Sequence, residues 1–441
     1  MTQTTATIIK PAEYISPTRR MVMGIIFLAL SVGIWVLFSR NVTADMQTTF
    51  SLYPGGSKVI VPDWIFPSLP MLNILALVGS ALGAYQLARG FGRQTNAILG
   101  VVSGIFIFAF LVWGASGGSL NLAGLLKVAV VRAVPLTLGA LAGILCERSG
   151  VFNIAIEGMM LTAAFCAALF GSLVNIWFGL FTAILAGALM ALVLAVLSIK
   201  YKVNQIISGT VINIFATGIT SFLSAKFLQK YEALNNSGRF GTWDVPGLSQ
   251  IPFIGPILFS HNIFIYAMFI FVILMTVALF YTRWGLRTRS VGEHPKAADT
   301  LGINVNRTRY ISVLLGGMMA GFAGAYFVLG SVGRFDEVMT AGRGFVGLAA
   351  MIFGNYNPVG SLGAGMLFGF ADSLASKLAI LKVPIPNKFL EMGPYIITMI
   401  VLAGVVGRGQ PPAAGGKPYE KEWQETKKKH PLKSGMFFFV T

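Results

Sequence analysis

The stretch ERSGVFNIAIEGMM, Glu147–Met160, decides how the rest of this chain is interpreted. It lies between AVPLTLGALAGILC, residues 133–146, and LTAAFCAALFGSLV, residues 161–174, and both flanks are apolar enough to lie in lipid. Unpaired backbone is costly in hydrocarbon, so a helix breaks at membrane depth only where protein or water surrounds the break. The stretch therefore predicts either a break that lines a pathway or an ordinary turn between two spans, and we favour the break.

The polar residues of this stretch are candidates for a translocation path. The Ser-Gly pair at 149–150 is a natural break, and we expect the next helix to start near Asn153, a cap-type residue. Each ionised group near the bilayer centre costs roughly 2.5–3.5 kcal/mol on insertion scales. We therefore expect Arg148 to pair with either Glu147 or Glu157.

The composition of the whole chain indicates an integral membrane protein. Of its 441 residues, 55% are hydrophobic and only 11% are charged, whereas a soluble domain carries roughly 25% charged residues. We predict an all-α polytopic membrane protein with about eight full spans and two broken or re-entrant regions. The predicted spans are Met21–Phe38, Leu69–Ala88, Ala97–Gly114, Val174–Ile199, Gln205–Ala225, His261–Thr282, Tyr310–Gly330 and Leu390–Gly407, and the broken regions are Ala133–Gly171 and Gly344–Leu378.

The second broken region contains GNYNPVGSLG, residues 354–363, which interrupts an apolar stretch in the same way. Asn355, Tyr356 and Asn357 therefore join the candidates for the path. Asp372 follows in an apolar context and is either a path residue or a helix–helix contact.

The formal net charge of +17 is explained by basic residues that flank apolar runs on the cytoplasmic side. If the N-terminus is cytoplasmic, 20 of the 33 Lys and Arg residues fall on that side and 12 on the other, with Arg148 in the broken region. The pattern predicts that both termini are cytoplasmic. It also predicts that the basic residues interact with lipid and not with nucleic acid. We divide the chain into a leader (1–20), a membrane domain (21–407) and a basic tail (408–441).

The order of spans predicts an internal repeat. Each half contains a span, a long outer loop, a second span, an inner loop, a third span, a broken region and a last span, with the halves meeting between Ile199 and Gln205. Such a repeat places the two broken regions in corresponding positions, which is a pointer to a substrate site.

The loop Thr282–Arg309 is the longest polar segment on the predicted cytoplasmic side. Pro295 suits the first turn of a short helix and Gly302 suits its C-terminal cap, so PKAADTL predicts a compact helix at the membrane surface. One alternative is a loop that binds anionic lipid headgroups. The acidic residues Glu293 and Asp299 favour docking to a protein partner instead.

The residue types needed for catalysis are scattered. GGKP at 415–418 is not a phosphate-binding loop, and the three histidines are far apart in the sequence. We expect no catalytic residue, metal or cofactor on this chain. A transporter of this kind uses an ion gradient, as secondary transporters do, or the ATP hydrolysis of a partner. A membrane scaffold is a further alternative, but two polar breaks fit it poorly.

Several motifs together resemble one family. ERSGVFNIAIEGMM, NQIISGTVIN, GLRTRSVGEHPKAADTLGINV, IFGNYNPVGSLGA and IVLAGVVGRGQPPAAGGKPYEK are similar to bacterial ATP-binding-cassette importer permeases of the branched-chain amino acid, ribose and nucleoside group. The nearest likeness is to nucleoside permeases of the guanosine type, and it covers roughly residues 120–421.

The resemblance implies a permease subunit of the bacterial inner membrane that transports nucleosides, with simple sugars or branched-chain amino acids as the alternative. It implies a second permease subunit, ATP-binding subunits that hold ATP and Mg, and an extracytoplasmic substrate-binding lipoprotein or periplasmic protein. It also implies that Glu147–Glu157 and Gly354–Gly363 line the pore. For a nucleoside, we expect the ring of Tyr356 to stack on the base.

The resemblance further implies that Glu293–Gly302 is the coupling helix, which docks in a cleft of the ATPase. Small side chains are expected to enter the cleft, a leucine to anchor the helix and charges to orient it. The residues expected to act there are Glu293, Pro295, Lys296, Ala297, Ala298, Asp299, Leu301 and Gly302.

Overall fold

The protein is described by a computed structural model that covers residues 17–56, 60–380, 392 and 410–421. The α-helices are α1 (Pro17–Gly33), α2 (Ser68–Ala88), α3 (Thr95–Gly114), α4 (Leu122–Glu147), α5 (Ile156–Leu173), α6 (Ile176–Ala195), α7 (Gln205–Leu223), α8 (Ile254–Leu258), α9 (Ile263–Tyr281), α10 (Arg283–Glu293), α11 (Pro295–Thr300), α12 (Val305–Ala325), α13 (Arg343–Phe353) and α14 (Pro358–Ile380). Short strands are β1 (Gln47–Ser51), β2 (Trp64–Pro67), β3 (Ser119–Asn121), β4 (Trp243–Asp244) and β5 (Ser260–His261).

Among the described residues, nine helices are long and apolar enough to cross a membrane. They are Pro17–Asn41, Ser68–Ala88, Gly92–Gly114, Leu122–Glu147, Ile156–Leu173, Ile176–Lys200, Gln205–Leu228, Ile263–Tyr281 and Val305–Val332. An all-α polytopic membrane protein is therefore confirmed. Seven of these helices match predicted spans, and the eighth predicted span, Leu390–Gly407, lies outside the described residues.

The region Ala133–Gly171 differs from its prediction as a single broken region. It contains the second half of α4 and most of α5, and each of these helices has the length of a full span. The start of α4 was missed because Lys127 and Arg132 lower the local hydropathy.

The region Gly344–Leu378 is interrupted as predicted. The helix α13 has 11 residues, about 16 Å of helix, which is too short to cross the hydrocarbon. The turn after it places two consecutive non-glycine residues in the left-handed region, Asn355 with φ 53° and Tyr356 with φ 55°. Such backbone persists only where surrounding contacts hold it.

The described residues divide into two compact units. The first unit reaches to Ala123 and includes the end of α14 from Leu378. In this unit α1 packs on α2, and β1 lies between β2, to which it is antiparallel, and β3, to which it is parallel. The close approach of the two helices requires Gly79, because a Cβ there would lie 2.3 Å from the hydroxyl of Ser31.

The second unit is built around α5, α6 and α12. The axes of α6 and α12 approach closely where Gly187 faces Gly317 and Gly321. A Cβ on Gly187 would lie 2.4 Å from the carbonyl oxygen of Gly317, so only glycine fits. Small residues at helix interfaces are typical of membrane proteins, in which association depends on close packing.

The order of elements is similar in the two halves of the chain. The helices α1 and α7 each continue into a π-helical turn, Ile34–Phe38 and Ser224–Leu228. Each is followed by a segment that contains two short strands and then by another helix of span length. This order is what the predicted repeat requires, and the repeat itself stays a prediction.

Candidate functional site

The polar turn after α4 ends that helix with a Schellman motif. The N–H of Val151 donates to the carbonyl of Cys146 (3.2 Å), and the N–H of Gly150 donates to the carbonyl of Glu147 (2.8 Å). Gly150 has φ +89°, a conformation that favours glycine at this position of the motif. The interruption predicted at residues 149–150 is therefore present, and its carbonyls are satisfied by the backbone. Because it separates two helices of span length, it agrees with the ordinary turn between two spans and not with the favoured break at membrane depth.

Asn153 and Glu147 lie inside the protein. Asn153 is fully buried, its side-chain oxygen accepts from the N–H of Ala155 (3.1 Å), and its amide group faces the sulfur of Cys146 (3.3 Å). Glu147, the last residue of α4, is also buried. Asn153 precedes the helix as predicted, but α5 begins at Ile156.

The carboxylate of Glu157 joins α5 to the start of α13. It accepts hydrogen bonds from the hydroxyl of Thr340 (2.6 Å) and from the N–H groups of Gly342 (2.8 Å) and Gly344 (2.6 Å). These N–H groups belong to the N-terminus of α13, where the helix dipole favours a negative charge. Glu157 therefore positions α13 against α5.

Arg148 joins the two polar turns. Its Nε and Nη2 atoms donate to the carbonyl oxygen of Tyr356, at 3.1 and 3.0 Å. Burial lowers the pKa of the Arg148 guanidinium, and the carboxylate of Glu293 acts in the opposite direction. The predicted pairing with Glu147 or Glu157 is wrong, because backbone carbonyls occupy the guanidinium instead.

The turn between α13 and α14 is held by its own side chains and by the C-terminal segment. The side-chain oxygen of Asn357 accepts from the N–H of Val359 (2.9 Å), and that of Asn355 accepts from the N–H of Gln410 (3.0 Å). Tyr356 is only 4% exposed. The ring surface predicted to stack on a base is therefore covered in this structure.

Asp372 forms an ionic triad with Arg132 and Arg343. A carboxylate oxygen lies 2.8 Å from Nη1 of Arg132, and the other lies 4.0 Å from Nη2 of Arg343. The three residues come from α14, α4 and α13. The charge distribution in the sequence places Arg132 and Arg343 among the 12 basic residues of the outer side and not among the candidates for the path. A charged residue inside an apolar run is nevertheless a sequence signal of a functional site.

The predicted helix in the basic loop is confirmed. The helix α11 starts at Pro295, and Gly302 follows it with φ +80°. The N–H of Ile303 donates to the carbonyl of Ala298 (3.0 Å), and the N–H of Gly302 donates to that of Asp299 (2.9 Å), which is a second Schellman motif. The loop is therefore an ordered element with fixed ends.

Ala298 does not belong to the outer surface of this loop. It is 2% exposed and packs with Val291 and Val305, with Ile303 against the same cluster. The expected role of Ala298 in entering a cleft is therefore corrected, since the loop's own core covers it. Among the residues expected to act at the ATPase, the exposed ones are Glu293, Lys296, Ala297, Leu301 and Gly302, and Leu301 is 82% exposed.

Residues 410–421, here called the strap, fasten the loop to the first polar turn. The N–H of Ala414 donates to the carbonyl of Gly292 (2.9 Å), and the N–H of Gly416 donates to that of Gly150 (3.2 Å). The Nζ of Lys202 forms an ion pair with Glu420 at 2.5 Å. Both polar turns, the loop and the strap therefore lie at one end of this unit.

Arg309 lies at the centre of this arrangement and was missed as a site residue. It is 1% exposed, its Nε donates to the carbonyl of Ser149 (3.2 Å), and its Nη1 donates to that of Lys417 (3.1 Å). In the sequence Arg309 is one of six basic residues in the loop. Its hydrogen-bond acceptors are backbone carbonyls, which no pattern of residue types can reveal.

Comparison with known proteins matches this unit to one family. The profile of the branched-chain amino acid transport system permease component matches residues 125–409, more than half of the chain. The chain belongs to this permease family. It is a multi-pass membrane component of a transport system and not a catalyst.

Three relatives of this permease show how far the likeness extends. The guanosine permease NupQ of Bacillus subtilis (strain 168) is 40% identical over 303 residues, 66% of this chain and 95% of the relative. The nucleoside permease NupC of Lactococcus lactis subsp. cremoris (strain MG1363) is 40% identical over 304 residues, with the same shares. A putative glucose permease of Haloferax volcanii, TsgC13, is 32% identical over 307 residues, 65% of this chain and 92% of the relative. No solved structure matches the permease significantly.

Proposed function

We propose that this permease is the membrane subunit through which an ATP-binding-cassette importer moves nucleosides across the bacterial inner membrane. The observation that carries the proposal is the 40% identity with a guanosine permease and a nucleoside permease over 95% of their lengths. A nucleoside is neutral and carries several hydrogen-bonding groups, so its path requires polar groups at membrane depth. The unit provides such groups on α4, α13 and α14.

A simple sugar is the second candidate substrate, because the glucose relative is 32% identical over 92% of its length. The test is uptake of radiolabelled guanosine by cells that express the complete importer, with unlabelled uridine, ribose, glucose or leucine as competitors. Competition by uridine alone supports the proposal. Stronger competition by ribose or glucose than by uridine would indicate a sugar permease instead of a nucleoside permease.

The proposed orientation of the permease rests on the distribution of its charge. The loop, the strap and Arg148 lie at one end of the second unit, and this end is rich in Lys and Arg. We propose that this end and both termini are cytoplasmic. Ala297→Cys, at an exposed position, should resist a membrane-impermeant thiol reagent in intact cells, whereas Thr242→Cys, exposed in the segment after α7, should react. Labelling of Ala297→Cys but not of Thr242→Cys would show that the topology is the inverse of the proposed one.

The partners proposed for this permease are a second, related permease subunit, ATP-binding subunits that hold ATP and Mg, and an extracytoplasmic substrate-binding protein. Support for the ATPase contact comes from the exposed side of α11, where Ala297 and Leu301 face outward. A cavity of about 840 Å³ opens beside α11 and can receive side chains of a partner. Its lining includes Lys200, Lys202, Lys296, Asp299, Asn304 and Tyr419.

The residues of the polar turns are proposed to act in two ways. Asp372 lines the path, because its side chain remains partly exposed at membrane depth. The residues around the two turns support the shape of the path, because their polar atoms contact the protein itself. This supporting group consists of Glu147, Arg148, Asn153, Glu157, Asn355, Tyr356 and Asn357.

A further inference from the structure

The ionic triad of Arg132, Arg343 and Asp372 lies beside α4, a helix of span length. Arg132 is ten residues into α4, which at 1.5 Å per residue is about 15 Å from the start of a helix about 39 Å long. The hydroxyl of Ser373 donates to the carbonyl of Leu125 (2.8 Å), so α14 packs along the first turns of α4. The triad therefore lies along a helix of span length, closer to its start than to its end.

The triad is also partly exposed on the isolated permease. The side chains of Arg132, Asp372 and Arg343 retain 28%, 40% and 37% of their accessible surface. Charged groups within membrane-spanning segments face the bundle interior or a water-filled cavity and not lipid, because their burial in hydrocarbon is expensive. This face therefore borders the aqueous path, closed on its other side by the second permease subunit.

The geometry leaves the guanidinium of Arg343 only loosely engaged with Asp372. Arg132 is tightly engaged, since its Nη1 donates both to the carboxylate and to the backbone carbonyl of Asp372, the latter at 2.6 Å. The distance of 4.0 Å between Arg343 and Asp372 exceeds a hydrogen bond. The guanidinium of Arg343 also lies 5.8 Å above the ring of Phe327, which helps to fix its position.

We propose that this triad binds the lactam edge of a nucleoside base during translocation, an inference that rests on the proposed nucleoside substrate. A lactam edge is a ring N–H beside a carbonyl, and guanosine, inosine and uridine have one, whereas adenosine and cytidine do not. The carboxylate of Asp372 accepts the N–H, and the guanidinium of Arg343 donates to the carbonyl. Arg132 holds the carboxylate in position.

The test measures the concentration dependence of guanosine and adenosine uptake by the complete importer. Asp372→Asn keeps the size of the side chain and removes its charge, and Arg343→Gln breaks only the longer contact. Each should raise the half-saturating concentration for guanosine at least about tenfold, the effect of losing one hydrogen bond to a charged group, and should change adenosine uptake less. Arg334→Gln, which removes an exposed ion pair with Asp336, is the matched control and should change neither.

A purely structural ion pair predicts a different result for the double variant Arg132→Asp with Asp372→Arg. This exchange restores the attraction between α4 and α14 but presents reversed charges to the ligand. We expect normal co-purification with the ATPase subunit and lost selectivity for guanosine. Recovery of wild-type uptake by the exchange would overturn the proposal, and so would unchanged selectivity in an assembled Arg343→Gln variant. Absence of nucleoside uptake by the wild-type importer would instead disprove the proposed function before any variant is compared.

Discussion

The guanidinium of Arg148 donates two hydrogen bonds to the carbonyl oxygen of Tyr356, 208 residues further along the chain. The two polar interruptions of the sequence are therefore one structural feature and not two. A movement of the turn after α4 must displace the turn after α13 or break this contact. The same turn is fastened to the loop and the strap, so a displacement at the cytoplasmic end can reach both interruptions.

The first prediction concerns Arg148→Lys. An ammonium cannot reproduce the fork of guanidinium donors, so at least one hydrogen bond to Tyr356 is lost. We expect the free energy of unfolding to fall by about 1.5–3 kcal/mol, the range for hydrogen bonds to charged groups. Thermal unfolding of the purified permease measures this, and Arg287→Lys, at an exposed position of α10, is the control. Equal midpoint temperatures of thermal unfolding for the two variants would show that the contact between Arg148 and Tyr356 does not stabilise the fold.

The second prediction concerns Glu157→Gln. The amide of glutamine retains one acceptor oxygen but turns a donor group toward the N–H groups of Gly342 and Gly344. We expect a loss of about 1.5–3 kcal/mol in stability and a reduced rate of uptake, because α13 is no longer fixed against α5. Glu157→Asp, which keeps the charge, should retain more stability than Glu157→Gln. The opposite order would assign the effect to side-chain length instead of charge.

The third prediction compares arginine at two neighbouring alanines of α11. Ala297 is exposed, so Ala297→Arg should leave thermal stability unchanged while it reduces co-purification of the ATPase subunit and uptake. Ala298 is buried beside Val291 and Val305, so Ala298→Arg should lower the unfolding temperature of the permease itself. If Ala297→Arg binds the ATPase and imports substrate at the wild-type rate, the outer side of α11 is not the docking surface.

Local signals made part of this structure predictable from the sequence. Pro295 and Gly302 define the ends of α11 because each residue restricts or permits one backbone conformation at its own position. The break at residues 149–150 was predictable for the same reason. Long apolar runs located seven of the nine helices of span length among the described residues.

Contacts between distant segments were not predictable in this way. The acceptors of Arg148 and Arg309 are backbone carbonyls, which every residue has, so no pattern of residue types marks them. The start of α4 was hidden because Arg132 is paired with Asp372 across the structure, and hydropathy treats each charge as unpaired. Burial of Ala298 likewise depends on how the loop folds back on itself.

The fourth prediction concerns the strap and the buried Arg309. Its guanidinium donates to the carbonyls of Ser149 and Lys417 through two different nitrogen atoms. In Arg309→Lys a single ammonium replaces this fork, and a buried carbonyl left without a donor costs roughly 1–3 kcal/mol. We expect the strap to detach more often from the loop. Ala414 belongs to the strap and is buried against the loop, so its accessibility reports on detachment.

The measurement is the rate at which a thiol reagent modifies Ala414→Cys in the detergent-solubilised permease. This rate should rise about tenfold when Arg309→Lys is added, because a detachment cost lowered by about 1.4 kcal/mol makes the open strap tenfold more populated. Arg307→Lys, on an exposed side chain two residues earlier, is the control and should leave the rate unchanged. The native cysteines, Cys146 and Cys166, give the background and are measured without the introduced thiol. An equal rate with and without Arg309→Lys would show that the remaining contacts, such as Lys202 with Glu420, hold the strap without Arg309.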